Sequence, residues 1–276
     1  MSTWLITGCS TGFGRALAIA VLERGDNAIV TAREVSAVTD LVGDHADTAL
    51  ALALDVTDPV QVRAAVERGV ERFGGIDVLI NNAGYGYRAA VEEGDDADVR
   101  TLFDTHFFGT VDLIKAVLPQ MRARRSGTIV NFSSIGAKVH PAGSGYYAAV
   151  KSAIEGLTGS LRKELEPLGI TAMVIEPGGF RTDFAGRSLT QSAEAIDDYA
   201  DTAGKRRKES DPTHGTQPGD PAKFAQAVLT AVDAEDTPEM LVVGVDAVPA
   251  YRAVLEAQLA SLEKWSALGE GTGYDS

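Results

Sequence analysis

Residues 7–25 read TGCSTGFGRALAIAVLERG. The apolar run TWLIT at 3–7 leads directly into Gly8, Gly12 and Gly14, and then into a helical pattern near 13–24. A strand that ends in glycines and re-enters a helix forms a tight βα turn, where the missing side chains let backbone approach a phosphate. The helix N-terminus adds free N–H groups and a positive dipole, which favour an anion. Ser10, Thr11 and Phe13 fill the turn between the glycines. The spacing is G-x-x-x-G-x-G, not the G-x-G-x-x-G of the dinucleotide fingerprint. Tight βα turns need glycine whatever they bind, so this stretch alone decides the local fold but not the ligand.

The same alternation runs outward along the chain. Short apolar runs at 27–32, 50–54, 76–81, 127–132, 170–176 and 239–244 are separated by helical patterns near 58–73, 96–124, 145–167, 221–234 and 247–265. Strands apolar on both faces, alternating with helices, predict a parallel sheet covered on each side. Right-handed crossovers then give an α/β fold: a Rossmann-type doubly wound parallel β-sheet of about seven strands, with helices on both faces. No linker divides the chain, so residues 1–276 are expected to form a single domain. Residues 184–220, rich in Ser, Thr, Asp, Gly and Lys, break the rhythm and are expected to form a substrate-binding lid. Residues 247–276 read as a C-terminal helix and a frayed tail.

Composition narrows the function. A net charge of −14 argues against nucleic acid or an anionic membrane as partner. The basic run KRRK at 205–208 reads as surface. The single cysteine, Cys9, excludes an intrachain disulfide framework and a multi-cysteine zinc site, and no metal site is expected. No apolar run approaches 18 residues and no signal peptide is apparent, so a cytoplasmic protein is expected.

Further motifs follow in order: NNAG at 81–84, a serine pair at 133–134, YAAVK at 147–151 and PGGFRT at 177–182. Together with the glycine loop, these resemble the short-chain dehydrogenase/reductase family in its compact single-domain form, across roughly residues 3–245. The resemblance implies an NAD(P)-dependent oxidoreductase that interconverts a secondary alcohol and a ketone or aldehyde by hydride transfer. Its general acid/base would be Tyr147, the tyrosine of Y-x-x-x-K, rather than the adjacent Tyr146. An i, i+4 pair puts Tyr147 and Lys151 on one helix face. The neighbouring ammonium is expected to favour the phenolate. Ser134, thirteen residues before Tyr147, would hydrogen-bond the substrate oxygen. In this reading Lys151 also holds the ribose hydroxyls.

His106 stands where the family usually has an asparagine that kinks its helix and holds a relay water. Histidine can donate, accept and titrate near neutrality, so a catalytic relay and a structural role both remain open.

The resemblance also implies the cofactor contacts. Gly8, Ser10, Thr11, Gly12, Phe13 and Gly14 form the first loop. Asp55, with Val56, matches an adenine-contacting aspartate. Asn82, Ala83 and Gly84 continue the cleft, with Asn81 stabilising the central sheet. Pro177, Gly178, Phe180 and Thr182 complete it, Thr182 contacting the carboxamide, and Tyr147 and Lys151 also touch the cofactor. At the end of the second strand, Ala32 stands where NAD-preferring relatives have a carboxylate, and Arg33 follows. Arginine pairs with a 2′-phosphate, which favours NADP(H) over NAD(H).

On the substrate side, Tyr85, Tyr87, His140 and Phe184 are expected to line a pocket for a small carbonyl or alcohol, apolar or ring-bearing. The family implies a homodimer or homotetramer built on the long helices at 96–124 and 145–167. Two rival readings are a non-catalytic NADP(H)-sensing protein and a dehydratase or epimerase using the same Tyr–Lys pair.

Overall fold

The computed structural model describes residues 1–186, 188–208 and 215–274. Position 187 and positions 209–214 of the expected lid, and the last two residues of the tail, lie outside them.

Seven parallel strands form the central sheet, each close to an apolar run of the sequence. They are β1 (Thr3–Ile6), β2 (Asn27–Ala32), β3 (Ala49–Ala53), β4 (Val78–Asn81), β6 (Gly127–Phe132), β7 (Ile170–Pro177) and β9 (Met240–Val243). Their order is β3-β2-β1-β4-β6-β7-β9. Leu5 on β1 pairs with Ile29 on one side and Leu79 on the other. The order therefore reverses between β1 and β4, and the carboxyl ends of those strands border the crevice where such sheets bind ligands.

The period of two along each strand sends alternate side chains to opposite faces. Trp4, Ile6, Val30, Ile80 and Met173 pack on one face against α1 (Gly12–Glu23) and α8 (Pro221–Val232). Leu5, Ile29, Leu79, Ile129 and Ala172 face α2 (Pro59–Phe73), α4 (Gly109–Arg124) and α6 (Gly145–Leu165). Burial of both faces explains why the strands read as continuous apolar runs rather than alternating ones. Local signals set the helix limits. The Asp58 side chain accepts from the backbone N–H groups of Val60 and Gln61 and starts α2 before Pro59, and Gly74 ends it in a left-handed turn.

Two features depart from the sequence expectation. The helix expected over 96–124 is divided into α3 (Asp96–Phe103), a π-helical turn at Asp104–Phe108, and α4. The turn widens beside Gly109, where a Cβ would press on the Val56 carbonyl, and the Thr110 hydroxyl donates back to the His106 carbonyl at 2.8 Å. The second is a small parallel pair away from the main sheet, β5 (Gly86–Arg88) with β8 (Leu189–Gln191). It ties the loop after β4 to the lid.

Candidate active site

Four strand ends supply the site. At the end of β1, Gly8 and Gly12 have φ of 73° and 61°, in the left-handed region that glycine adopts without strain. A Cβ on Gly14 would collide with the Gly8 carbonyl and the Asn82 amide. Thr11 precedes α1 in an extended conformation without a side-chain cap. The first-turn N–H groups of α1 thus face a cradle that side chains would fill.

The loop after β4 is stitched onto that cradle. The Thr7 hydroxyl accepts from the N–H groups of Asn82 (3.0 Å) and Ala83 (2.9 Å), and the Asn82 amide donates to the Thr7 carbonyl at 2.7 Å. Asn81 donates to Asn131 at 2.8 Å, and Asn131 donates to Thr158 at 2.9 Å, which links β4, β6 and α6.

Other expected cofactor residues frame the same crevice. Thr182 approaches Gly12, so the turn after β7 reaches the glycine loop. Asp55 accepts from the Thr57 N–H at 2.9 Å and the Thr57 hydroxyl at 2.7 Å, and Val56 is buried beside it. Arg33 is exposed just past the end of β2. The rings of Phe13 and Phe180 turn into an aromatic cluster with Phe132 and Phe224; Phe13 stacks on Phe224 at 3.9 Å between centroids. These two phenylalanines pack with the core beneath the loops. Cys9 is part of that core: it is fully buried, and burial pushes its thiol up to about 12, so it is not a nucleophile.

Ser134, Tyr147 and Lys151 come together at the end of β6 and the start of α6. The Ser134 hydroxyl accepts from the Gly136 N–H at 3.1 Å and lies beside Tyr147, where it pulls the phenol down. The Lys151 ammonium donates to the Phe132 carbonyl at 2.8 Å and lies 5.7 Å from the centre of the Tyr147 ring. The ammonium was expected to draw the phenol down, and in the protein alone it does not. Burial pushes Tyr147 up to about 12, against the pull of Ser134. Burial also brings Lys151 down to about 7, which weakens its charge at neutral pH. Tyr146 points elsewhere: its hydroxyl donates to the Val91 carbonyl at 2.6 Å and its ring covers Gly94.

His106 sits in the π turn and is buried beside Tyr147, the rings meeting edge to face at 6.0 Å. Its Nε2 lies 3.0 Å from the Tyr85 backbone nitrogen and 2.8 Å from the Tyr85 carbonyl oxygen, and the ring covers Gly84. Burial, aided by the Lys151 charge, holds this imidazole well below its ordinary range. Titration near neutrality, one of the reasons for placing it in a relay, is therefore corrected: the ring is neutral and fixes the Gly84–Tyr85 backbone.

Phe184 flanks Tyr147 at 5.8 Å between ring centroids, and Tyr85 flanks His106 at 5.6 Å. Tyr87 does not join them. Its ring is buried with Ala89, Leu102 and Val150, and its hydroxyl accepts from the Asp95 N–H at 3.1 Å. This corrects the expectation that it lines the substrate pocket. His140 is exposed, in a left-handed turn at the end of α5 (Gly136–Val139).

The basic run at 205–208 is also more than surface. Arg207 pairs with Glu93, a buried carboxylate that accepts from the N–H groups of Ala90 (2.8 Å) and Ile196 (2.9 Å). The Arg206 carbonyl accepts from Arg88, whereas Lys205 remains in solvent. The helix α7 (Ala203–Lys208) is thereby fastened to the loop after β5.

Two groups near the site were not found from sequence. Asp246 precedes α9 (Ala247–Glu270), accepts from the Gly179 N–H at 2.7 Å, and occupies the space a Cβ on Gly178 would need. Glu176, one residue before the Pro177 turn, is fully buried close to Lys138 and Glu155. An acid next to a glycine-rich turn looks like ordinary loop polarity in the sequence; only the packing of α5, α6 and α9 encloses it.

A sequence model described as short chain dehydrogenase matches residues 2–193. The chain is 40% identical over 266 residues to the oxidoreductase BOA17 of Botryotinia fuckeliana, covering 96% of this chain and 97% of that protein. It is 36% identical over 243 residues to a 3-ketodihydrosphingosine reductase of Bacteroides thetaiotaomicron, covering 87% of each. Among solved structures it resembles a short-chain dehydrogenase from Streptomyces avermitilis, with a TM-score of 0.92, 42% identity, and coverage of 99% of this chain and 100% of that one.

Proposed function

The chain belongs to the short-chain dehydrogenase family and is an oxidoreductase; from that premise we propose that it interconverts a secondary alcohol and a ketone or aldehyde, with Tyr147 as general acid/base. The observation that carries this reading is the convergence of Ser134, Tyr147 and Lys151 beside the glycine cradle. A nicotinamide dinucleotide fits the cradle, because Gly8, Gly12 and Gly14 keep clear the space that a pyrophosphate needs. When bound, that cofactor supplies or accepts the hydride. Arg33, exposed after β2 in place of a carboxylate, supports NADP(H) over NAD(H).

In the reductive direction Tyr147 donates its proton to the carbonyl oxygen. A phenol near 12 holds that proton firmly until negative charge develops on the substrate. Ser134 stabilises the same oxygen as the charge grows. Lys151, brought down to about 7, exchanges protons at neutral pH and is suited to restoring the phenol. Phe184 beside Tyr147 and Tyr85 beside His106 favour an apolar carbonyl compound, consistent with a relative named a 3-ketodihydrosphingosine reductase. Homodimeric or homotetrameric assembly through the α4 and α6 faces and a cytoplasmic setting belong to the same proposal. Among the described residues, no helix is long and apolar enough to cross a membrane.

The test is Tyr147→Phe in a panel of ketones and aldehydes, followed by nicotinamide absorbance with both cofactors. Turnover is expected to fall by about 10²–10⁴-fold while cofactor binding persists. Carbonyl reduction that survives the substitution would refute the mechanism.

A further inference from the structure

Behind the strand ends that carry Ser134 and Pro177 lies a cluster that the proposed chemistry does not use. Glu176 closes β7 with no exposed surface, and neither of its carboxyl oxygens has a hydrogen-bond partner. The Glu155 carboxyl of α6 faces the same Lys138 ammonium as Glu176 does. Lys138, on α5, is ion-paired to Glu155 and stands 3.6 Å from Glu176. The Ser133 hydroxyl donates to Glu155 at 2.6 Å, and Tyr251 of α9 covers the Lys138 ammonium at 5.6 Å.

Two ionised carboxylates facing one ammonium would leave a net negative charge in a buried space and two acceptors pointing at each other. One added proton resolves both problems: a carboxylic acid donates to the neighbouring carboxylate, and the cluster becomes neutral. The groups facing Glu176 are Glu155, Lys138 and Tyr251, and Lys138 is the only cation among them.

The cluster touches both loops of the site. Ser133 immediately precedes Ser134, and the Ile135 N–H donates to the Pro177 carbonyl at 3.1 Å. Lys138 therefore fastens the loop after β6 to α6 and to the end of β7.

We propose that Glu176 and Glu155 share a single proton beneath Lys138, and that this clamp is a positioning device for the Ser134 loop and the Pro177–Gly179 turn. Its relevance to catalysis rests on the function proposed above; the shared proton does not. Burial and the Glu155 charge push the Glu176 carboxyl up to about 8. A carboxyl raised on folding favours the protonated folded state. Its contribution is complete below the ordinary 4.5 and declines as pH climbs through about 8. Losing the proton puts two carboxylates against one ammonium and loosens the clamp.

Glu176→Gln keeps a donor toward Glu155 at every pH. Thermal unfolding without cofactor, from about pH 5 to 9, should show in wild type, relative to the variant, a decline in stability toward alkaline pH, since the Lys151 trend is common to both. Glu155→Gln, which leaves one carboxylate for one ammonium, should flatten it as well and serves if the first variant does not fold. Hydrogen exchange at about pH 9 should be slower in the Glu176→Gln variant than in wild type over residues 133–139 and 176–180. Wild-type NADPH affinity should weaken from pH 7 to 9 by about fivefold or more beyond any change in the variant, in which Lys151 titrates equally. Unfolding curves of wild type and both variants that run parallel across this range would overturn the shared proton. Flattened curves with unchanged exchange and unchanged pH dependence of affinity would overturn the positioning role. Failure of every form to bind either nicotinamide cofactor would count against the proposed function, and unfolding and exchange would still judge the clamp.

Discussion

Lys151 is required by the proposed chemistry and is expensive to the fold. Its ammonium is buried, with the Phe132 carbonyl as its close hydrogen-bond partner, and burial lowers it from 10.5 to about 7. At ~1.36 kcal/mol for each pH unit, that difference means a charged Lys151 costs the folded state about 5 kcal/mol. Between about 7 and 10.5 the unfolded chain binds the proton that the folded chain has released. Stability from this group therefore rises with pH across that window, and the penalty is full below it.

Lys151→Met keeps the unbranched stem and removes the charge. It also strips the Phe132 carbonyl of its donor, at about 1–2 kcal/mol. The net gain at neutral pH is about 3 kcal/mol, or a Tm higher by about 6–12 °C for a domain of this size. Calorimetry without cofactor, at pH 7 and pH 10, checks the reasoning: the gain should shrink strongly at pH 10, where wild-type lysine is largely neutral. A variant less stable than wild type at pH 7, or equally favoured at both values, would refute it. Turnover should be lost in the same protein, so that stability and activity move in opposite directions.

Arg33→Ala should weaken NADPH binding by about tenfold or more and leave NADH binding nearly unchanged, because only the former offers a 2′-phosphate; titration of each cofactor against protein fluorescence decides it. His106→Asn should leave the shape of the turnover pH profile between about pH 6 and 8 unaltered, since the imidazole is already neutral there. Its loss should raise KM for the carbonyl compound more than it lowers kcat, through the Gly84–Tyr85 backbone, and steady-state kinetics separate the two.

The layered sheet was legible because its strands are buried on both faces and its helices carry a separate period, as the opposite packing of Trp4 and Leu5 illustrates. The convergence of Ser134, Tyr147 and Lys151 was legible because the motif order carries it and the helical spacing of Tyr147 and Lys151 supports it. The pair β5–β8 was not, since GYR and LTQ are too short for any alternation to show. Tyr87 and Tyr85 look equivalent on paper, yet Tyr87 is buried in a satellite core, whereas Tyr85, next to Gly84, leans on that core and also meets His106. Arg207 and Glu93, separated by 114 positions, have no local signal that they will meet. The phenol of Tyr147 shows the largest gap: spacing predicts that Lys151 is near, but the desolvation that decides both proton affinities belongs to the packed protein.

The helix α9 has two territories. Its entry belongs to the crevice, through Asp246 beneath Gly178 and Gly179 and Tyr251 over Lys138. From Leu255 to Glu270 almost every side chain is open to solvent. An immobilised or dye-labelled form of this oxidoreductase can therefore be attached through the outer turns of α9 without touching the crevice. A chain trimmed before residue 251 loses the bolt under the turn or the cover over the clamp, and one trimmed a few turns later keeps both. The same helix serves as a handle at one end and as part of the lock at the other.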